Sequence, residues 1–133
     1  MKAQVSVEYL IIVSVALVVL LPLILYSGEI LRNYNEETRM SLAKNAVKKI
    51  GESADWVYSQ GPPAKLNTEV YFPSGISQTS LENNAILLKM KVSSGTSDIY
   101  YSTMSPLNGS IPSVPGYYTI TLVAYQDYVN ISW

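Results

Sequence analysis

The sequence predicts an α+β fold in which one long N-terminal helix, hydrophobic at first and then amphipathic, packs on a small antiparallel β-sheet. Three observations predict it. Tyr9–Gly28 carries no charge and is almost entirely apolar. Apolar residues then continue at spacings of three or four up to Val57, which is the period of a helix. Beyond Pro63 the chain consists of short runs rich in Ser, Thr, Tyr, Val and Ile, separated by turn residues, as in strands.

The uncharged segment is long enough to cross a membrane. At a rise of ~1.5 Å per residue it spans about 30 Å, the thickness of a bilayer core. The carboxylate of Glu8 lies directly before it. A charge at the edge of a hydrophobic segment is costly, so Glu8 is a candidate functional residue.

The periodic segment that follows extends the helix, which we expect to run from Val5 to Tyr58. Gly61 and the Pro62-Pro63 pair form a strong stop signal. Pro22 lies inside the helix, where it removes one hydrogen bond and predicts a kink or local melting. It is either a tolerated kink of a membrane helix or a weak point that lets the helix stretch in a filament. The face expected to cover the sheet is formed by Leu31, Tyr34, Thr38, Leu42, Ala46, Ile50, Ala54 and Val57.

The remainder predicts an antiparallel meander of four or five strands. Such a small sheet needs a cover on its apolar face, and the amphipathic part of the helix can supply it. The predicted strands are Lys65–Phe72, Ala85–Ser93, Asp98–Met104, Tyr117–Tyr125 and Tyr128–Ser132.

The first ten residues carry a specific motif. An ordinary secretory signal needs a shorter apolar run and a small-residue cleavage site after it, and neither is present. Gln4, Ser6, Glu8, Tyr9 and Leu10 instead resemble, in order, the class III signal peptide of archaeal type IV pilin-like proteins. The resemblance implies cleavage between Ala3 and Gln4, with Ala3 standing where glycine is commoner. The apolar helix would then stay in the mature chain.

This resemblance implies a domain organisation and a function. Residues 1–3 form the leader, 4–28 the transmembrane or filament-core helix, 29–61 its amphipathic continuation and 62–133 a β head domain. The implied protein is a structural subunit of an extracellular, type IV pilus-like filament that serves surface adhesion. It is held in the membrane as a precursor, cleaved by a prepilin-type peptidase and polymerised with copies of itself.

With the cleavage that the resemblance implies, Gln4, Glu8 and Pro22 are the candidate assembly residues. The alternative function is a non-polymerising, pseudopilin-like or single-pass membrane-anchored binding module of the cell envelope. Within reach of the membrane, Arg32, Arg39, Lys44 and Lys48 follow the span, whereas Lys2 precedes it; this distribution by itself favours a cytoplasmic C-terminus. The leader and the β-rich tail favour translocation instead.

Composition argues against several other functions. The chain has 133 residues, no Cys and no His, so we expect no disulfide and no metal site. The few carboxylates of the tail form no recognisable acid/base pair, and no hydrolase or phosphate-binding motif is present, so we expect no cofactor and no enzyme activity. The net charge of −1 offers no basic field for nucleic acid. We also expect no small-molecule substrate.

Two features of the tail are candidates for surface roles. Asn108-Gly-Ser and Asn130-Ile-Ser are glycosylation sequons, and Asn108 lies in the more accessible loop. The chain has 11 Tyr and 1 Phe. The pairs Tyr100-Tyr101 and Tyr117-Tyr118 are expected to place one ring on each face of their strands, the inner in the core and the outer available for contact.

Overall fold

The computed structural model describes the backbone of residues 2–133 and the side chains of residues 4–133. Over that range the fold is α+β, as the sequence predicts: a long N-terminal helix is followed by β structure that packs on its C-terminal part. The chain divides into two compact units, the first ending at Glu36 and the second comprising Glu37–Trp133. The elements are α1 (Lys2–Gln60), β1 (Lys65–Phe72), β2 (Ile76–Glu82), β3 (Ala85–Val92), β4 (Gly95–Ser102), β5 (Leu107–Gly109), β6 (Gly116–Ala124) and β7 (Val129–Ser132).

Helix α1 ends where the sequence predicts. Gly61 adopts a left-handed conformation with φ of 73°, and its N–H donates to the carbonyl of Tyr58 at 3.1 Å. A glycine in this conformation closes a helix at no steric cost, because it has no Cβ. The chain then turns into β1, and the N–H of Ala64 donates to the carbonyl of Gly61 at 2.9 Å in this turn.

The strands form two sheets. The four-stranded sheet has the order β1-β6-β7-β5, with antiparallel pairs except for the parallel pair β5–β7. The three-stranded sheet is the antiparallel meander β2-β3-β4. The backbone N–H groups of Thr103 and Leu107 donate to the carbonyls of Asn84 and Asn83, which ties the β2–β3 turn to the segment between β4 and β5.

The expected single meander is therefore wrong in its pairing, although the five expected strands are present. β1 has the expected bounds, but it pairs with β6, far along the chain. Two strands were not expected. β2 is largely polar and is held by its ladder with β3, and β5 is only three residues long and ends at a glycine.

One core joins the helix to both sheets. The face of α1 that contributes to it carries small and branched side chains that are nearly inaccessible to solvent, with Val47, Ile50 and Val57 the largest. The buried members are Ala43, Ala46, Val47, Ile50, Ala54, Val57, Val70, Phe72, Ile86, Leu88, Met90, Ile99, Leu107, Ile111, Ile120, Leu122, Ala124, Val129 and Ile131.

The covering face of the helix is shorter than expected. It starts near Ala43, whereas Leu31 and Tyr34 are 63% and 67% exposed and lie in the first unit. Leu42 is also partly exposed. The apolar periodicity is continuous along the helix, so periodicity alone could not locate the point at which the sheet ends.

Side chains of α1 satisfy backbone groups beside an edge strand of each sheet. Lys49 Nζ donates to the carbonyl of Glu69 in β1 at 2.7 Å. Asp55 Oδ1 accepts a hydrogen bond from the backbone N–H of Met104, just after β4, also at 2.7 Å. Because β1 and β4 are edge strands, these bonds occupy polar groups that a sheet edge otherwise leaves open.

A close approach between helix and sheet occurs at Gly51. A Cβ at this position would overlap the ring of Tyr101 in β4, so the glycine leaves the space that the ring fills. Burial raises the pKa of the Tyr101 phenol above 10.0, and the carboxylates of Asp55 and Glu52 raise it further.

Candidate functional site

The apolar part of α1 is an extended apolar surface that the rest of the described chain does not cover. Its aliphatic side chains between Val5 and Leu31 are mostly exposed, from 50% for Leu20 to 73% for Leu25. By length and composition α1 can cross a membrane: its most apolar window has a mean hydropathy of 2.8, and none of that window is buried within the chain. A surface of this kind is stable only against lipid or against other protein.

The candidate assembly residues share one side of this helix. Gln4 and Glu8 are one turn apart, about 6 Å along the axis, and Pro22 follows four turns later at nearly the same angle. The side chains of all three are exposed. Of the candidate cleavage site, Gln4 is described in full, whereas the side chain of Ala3 lies outside the described residues.

Helix α1 remains helical through Pro22, so the local melting that the proline predicts does not occur in this chain by itself. The cost is one backbone hydrogen bond, the one that the carbonyl of Val18 would accept. The hydroxyls in the segment are satisfied by the helix itself. Ser14 Oγ donates to the carbonyl of Leu10 at 2.7 Å, and Ser27 Oγ donates to that of Leu23 at 2.8 Å. The two hydroxyls therefore need no water and are compatible with an apolar environment.

The two sequon asparagines are direct neighbours in the four-stranded sheet. In the parallel pair β5–β7, Asn108 is opposite Asn130. Both lie on the outer face, because Leu107, Val129 and Ile131 beside them are buried. Asn108 is exposed, and its Oδ1 accepts a hydrogen bond from the N–H of Gly109 at 2.8 Å. Asn130 is half-buried on a strand with neighbours on both sides.

The tyrosine pairs are divided between the two faces, as the sequence predicts. Tyr100 is 72% exposed and Tyr117 is 84% exposed. Their partners point inward: Tyr101 packs on Gly51, and Tyr118 makes an edge-to-face contact with the buried Phe72 at 6.0 Å. The outer rings therefore remain available for contacts outside the chain.

The second unit also has candidate residues that the sequence pattern did not indicate. Lys49 and Asp55 connect α1 to the edge strands, and Trp56 is 52% exposed beside them. The available signal was an aromatic ring at a helix position next to, but outside, the apolar face. Among the described residues, no group of three His, Cys, Asp or Glu side chains could hold a metal ion.

Comparisons with family models, curated proteins and solved structures give no match to this chain. The architecture itself, an apolar N-terminal helix whose C-terminal part packs on a small β domain, is pilin-like.

Proposed function

We propose that this chain is a structural subunit of an archaeal, type IV pilus-like extracellular filament that serves surface adhesion. One observation carries the proposal: an exposed apolar helical segment precedes a folded β domain. Burying a Val, Leu or Ile side chain stabilises by about 1.5–3 kcal/mol. Over the whole segment this gives a driving force on the order of tens of kcal/mol. In the precursor the apolar segment is buried in the membrane, and in the filament it is buried against the same segment of other copies.

The leader supports a defined route from membrane to filament. A prepilin-type peptidase cuts between Ala3 and Gln4, so the mature chain begins with the Gln4 amine. That amine and the Glu8 carboxylate are then opposite charges about one turn apart at the end of an apolar helix. An unpaired charge is costly in such surroundings, whereas a pair is tolerated. An axial offset of one turn between neighbouring copies pairs the carboxylate of one with the amine of the next.

In this proposal the charge pair sets the register between subunits, and the apolar contact supplies the stability. Other offsets leave both charges unpaired within the filament core. The role is structural, and no catalytic step is assigned to any residue.

The second candidate is a pseudopilin-like or single-pass anchored binding module that does not polymerise. The basic residues after the apolar segment favour only the anchored module, with a cytoplasmic C-terminus, because they are typical of a cytoplasmic flank. The apolar helix of such a chain remains in the membrane, and the carboxylate of Glu8 does not pair with the amine of a second copy.

Electron microscopy of fibres sheared from the cell surface, combined with the intact mass of their subunit, separates the two. We expect fibres composed of this chain, with a subunit that lacks Met1–Ala3. A subunit that retains Met1, or a processed chain found only in the membrane fraction, refutes the filament proposal.

A further inference from the structure

We propose that a trough between α1 and β1 binds a neutral oligosaccharide. The trough is defined by Trp56, Lys49 and Asn45 of α1, by Glu69 and Tyr71 of β1, and by Tyr117 of β6. All of these residues belong to the unit Glu37–Trp133.

The hollows of the trough adjoin one another, and together they are long enough for a chain of several sugars. It consists of three hollows of about 300, 290 and 240 Å³. The first and second share Lys49, and the first and third share Glu69 and Tyr117. Along α1 it extends from Leu42 to Trp56, which is about 20 Å at the rise of a helix.

Aromatic rings lie towards both ends of the trough. Tyr117 is 84% exposed, and its ring centroid is 4.7 Å from that of Tyr71 in the adjacent strand. Trp56 lines the hollow at the other end. Exposed Tyr and Trp rings combine a flat apolar face with a polar tip. The flat faces suit the C–H faces of sugar rings.

Polar groups occupy the middle of the trough. The Lys49 ammonium has three donors, and its bond to the Glu69 carbonyl leaves two. Asn45 offers an amide, and the carboxylates of Glu52 and Glu69 accept hydrogen bonds from hydroxyl groups. Glu52 is also paired with Lys48, whose Nζ is 3.7 Å from Glu52 Oε1. Two ammonium groups and two carboxylates give no strong field of either sign, so a neutral ligand fits better than a charged one.

The same groups argue against a protein partner. An apolar helix laid in the trough would desolvate Lys49, Glu52 and Glu69 without pairing them, which is costly. Addition of a strand to β1 needs a free edge, and Lys49 already occupies the Glu69 carbonyl at that edge. A sugar satisfies both the rings and the polar groups.

A glycan-binding head suits an adhesive filament, and the inference rests on the proposed function only in requiring the head to face the cell exterior. Binding is measured on the full chain in a detergent without a sugar headgroup, such as lauryldimethylamine oxide. A failure of sugar binding can therefore be distinguished from a failure to form filaments. The probes are mannohexaose, cellohexaose and chitohexaose.

We expect saturable binding of one probe by calorimetry, and a fluorescence change of Trp56 when Trp133, the other tryptophan, is replaced by phenylalanine. Tyr117→Ala and Trp56→Ala should each weaken binding about tenfold, as removal of an aromatic anchor typically does. Asn45→Ala should weaken it less. Tyr100→Ala is the matched control, because this ring is 72% exposed on the other sheet, and its affinity should equal wild type.

Three results in detergent overturn the proposal, and a fourth comes from assembled fibres. The three are no binding of any probe, an equal loss in Tyr100→Ala, or unchanged affinity in both Tyr117→Ala and Trp56→Ala. The chain has no cysteine, so Tyr117→Cys adds a single thiol. In assembled fibres we expect complete labelling of that thiol by maleimide. Protection in fibres, with full labelling in detergent, would show that a neighbouring subunit covers the trough instead.

Discussion

Replacing Gly51 by alanine tests the contact between α1 and the three-stranded sheet. The added methyl group would overlap Cδ1 and Cε1 of the Tyr101 ring. Overpacking of this kind costs about 1–3 kcal/mol, whereas alanine gains about 1 kcal/mol over glycine inside a helix. Because the overlap is with a ring held in a strand, we take the upper part of that range and expect a net loss of about 1–2 kcal/mol.

The assay is thermal and urea unfolding of the fragment Glu37–Trp133, which is a compact unit containing the whole core. For a domain of this size each kcal/mol lowers Tm by about 4–8 °C. The decisive measurement is the same substitution in a Tyr101→Ala background, where the overlap is gone. There Gly51→Ala should stabilise the fragment by about 0.5–1 kcal/mol through helix propensity alone. A loss of equal size in both backgrounds refutes the packing explanation.

Four further predictions address assembly, modification and pH. Glu8→Val should be cleaved and inserted yet form few fibres by electron microscopy, with Glu8→Gln intermediate; wild-type yield from an uncyclised N-terminal amine contradicts register by charge pairing. Pro22→Ala restores a hydrogen bond in a change worth about 3 kcal/mol and should give normal insertion but fewer or shorter fibres, whereas wild-type lengths indicate a tolerated proline. Asn108 and Asn130 lie on strands about 4.8 Å apart, too close for two glycans, so intact mass should show at most one, lost in Asn108→Gln; two glycans refute this. Because folding raises the pKa of Tyr101 above 10.0, stability should be complete below about pH 10 and decline as pH rises through the folded-state pKa; a Tyr101→Phe fragment should decline less steeply in urea unfolding, and equal slopes exclude this group.

Local signals predicted much of the fold. The uncharged run, the apolar period and the Gly-Pro-Pro stop locate α1 to within three residues at each end. The alternation of side chains in β1 and β3 also gives their bounds to within a residue. The pairing of β1 with β6 was not predictable from local patterns, because the two strands lie far apart in sequence and come together only when the common core packs. β2 lacks a clear apolar alternation of its own and exists through its ladder with β3.

The candidate functional residues also divide into those that local sequence predicts and those that only the folded structure brings together. The charge pattern around Glu8 and the sequons are contiguous in sequence, so they were recognised without coordinates. The trough combines a helix, an edge strand and a strand from the other end of the domain, and no local pattern links Trp56 to Tyr117. The contact at Gly51 was not predictable either, because a single glycine in a helix does not indicate which side chain of another element packs against it.

The two hydrogen bonds from α1 to backbone groups beside the edge strands have a consequence for the solubility of the β head. Lys49 and Asp55 hold one carbonyl of β1 and one N–H just after β4 from the same helix, so withdrawal of that helix frees both groups at once. It also uncovers the apolar side chains of both sheets that share the core with α1. Uncovered apolar edge strands pair readily with those of other chains. A head stripped of its helix should therefore aggregate, so that withdrawal of α1 removes the protein from solution.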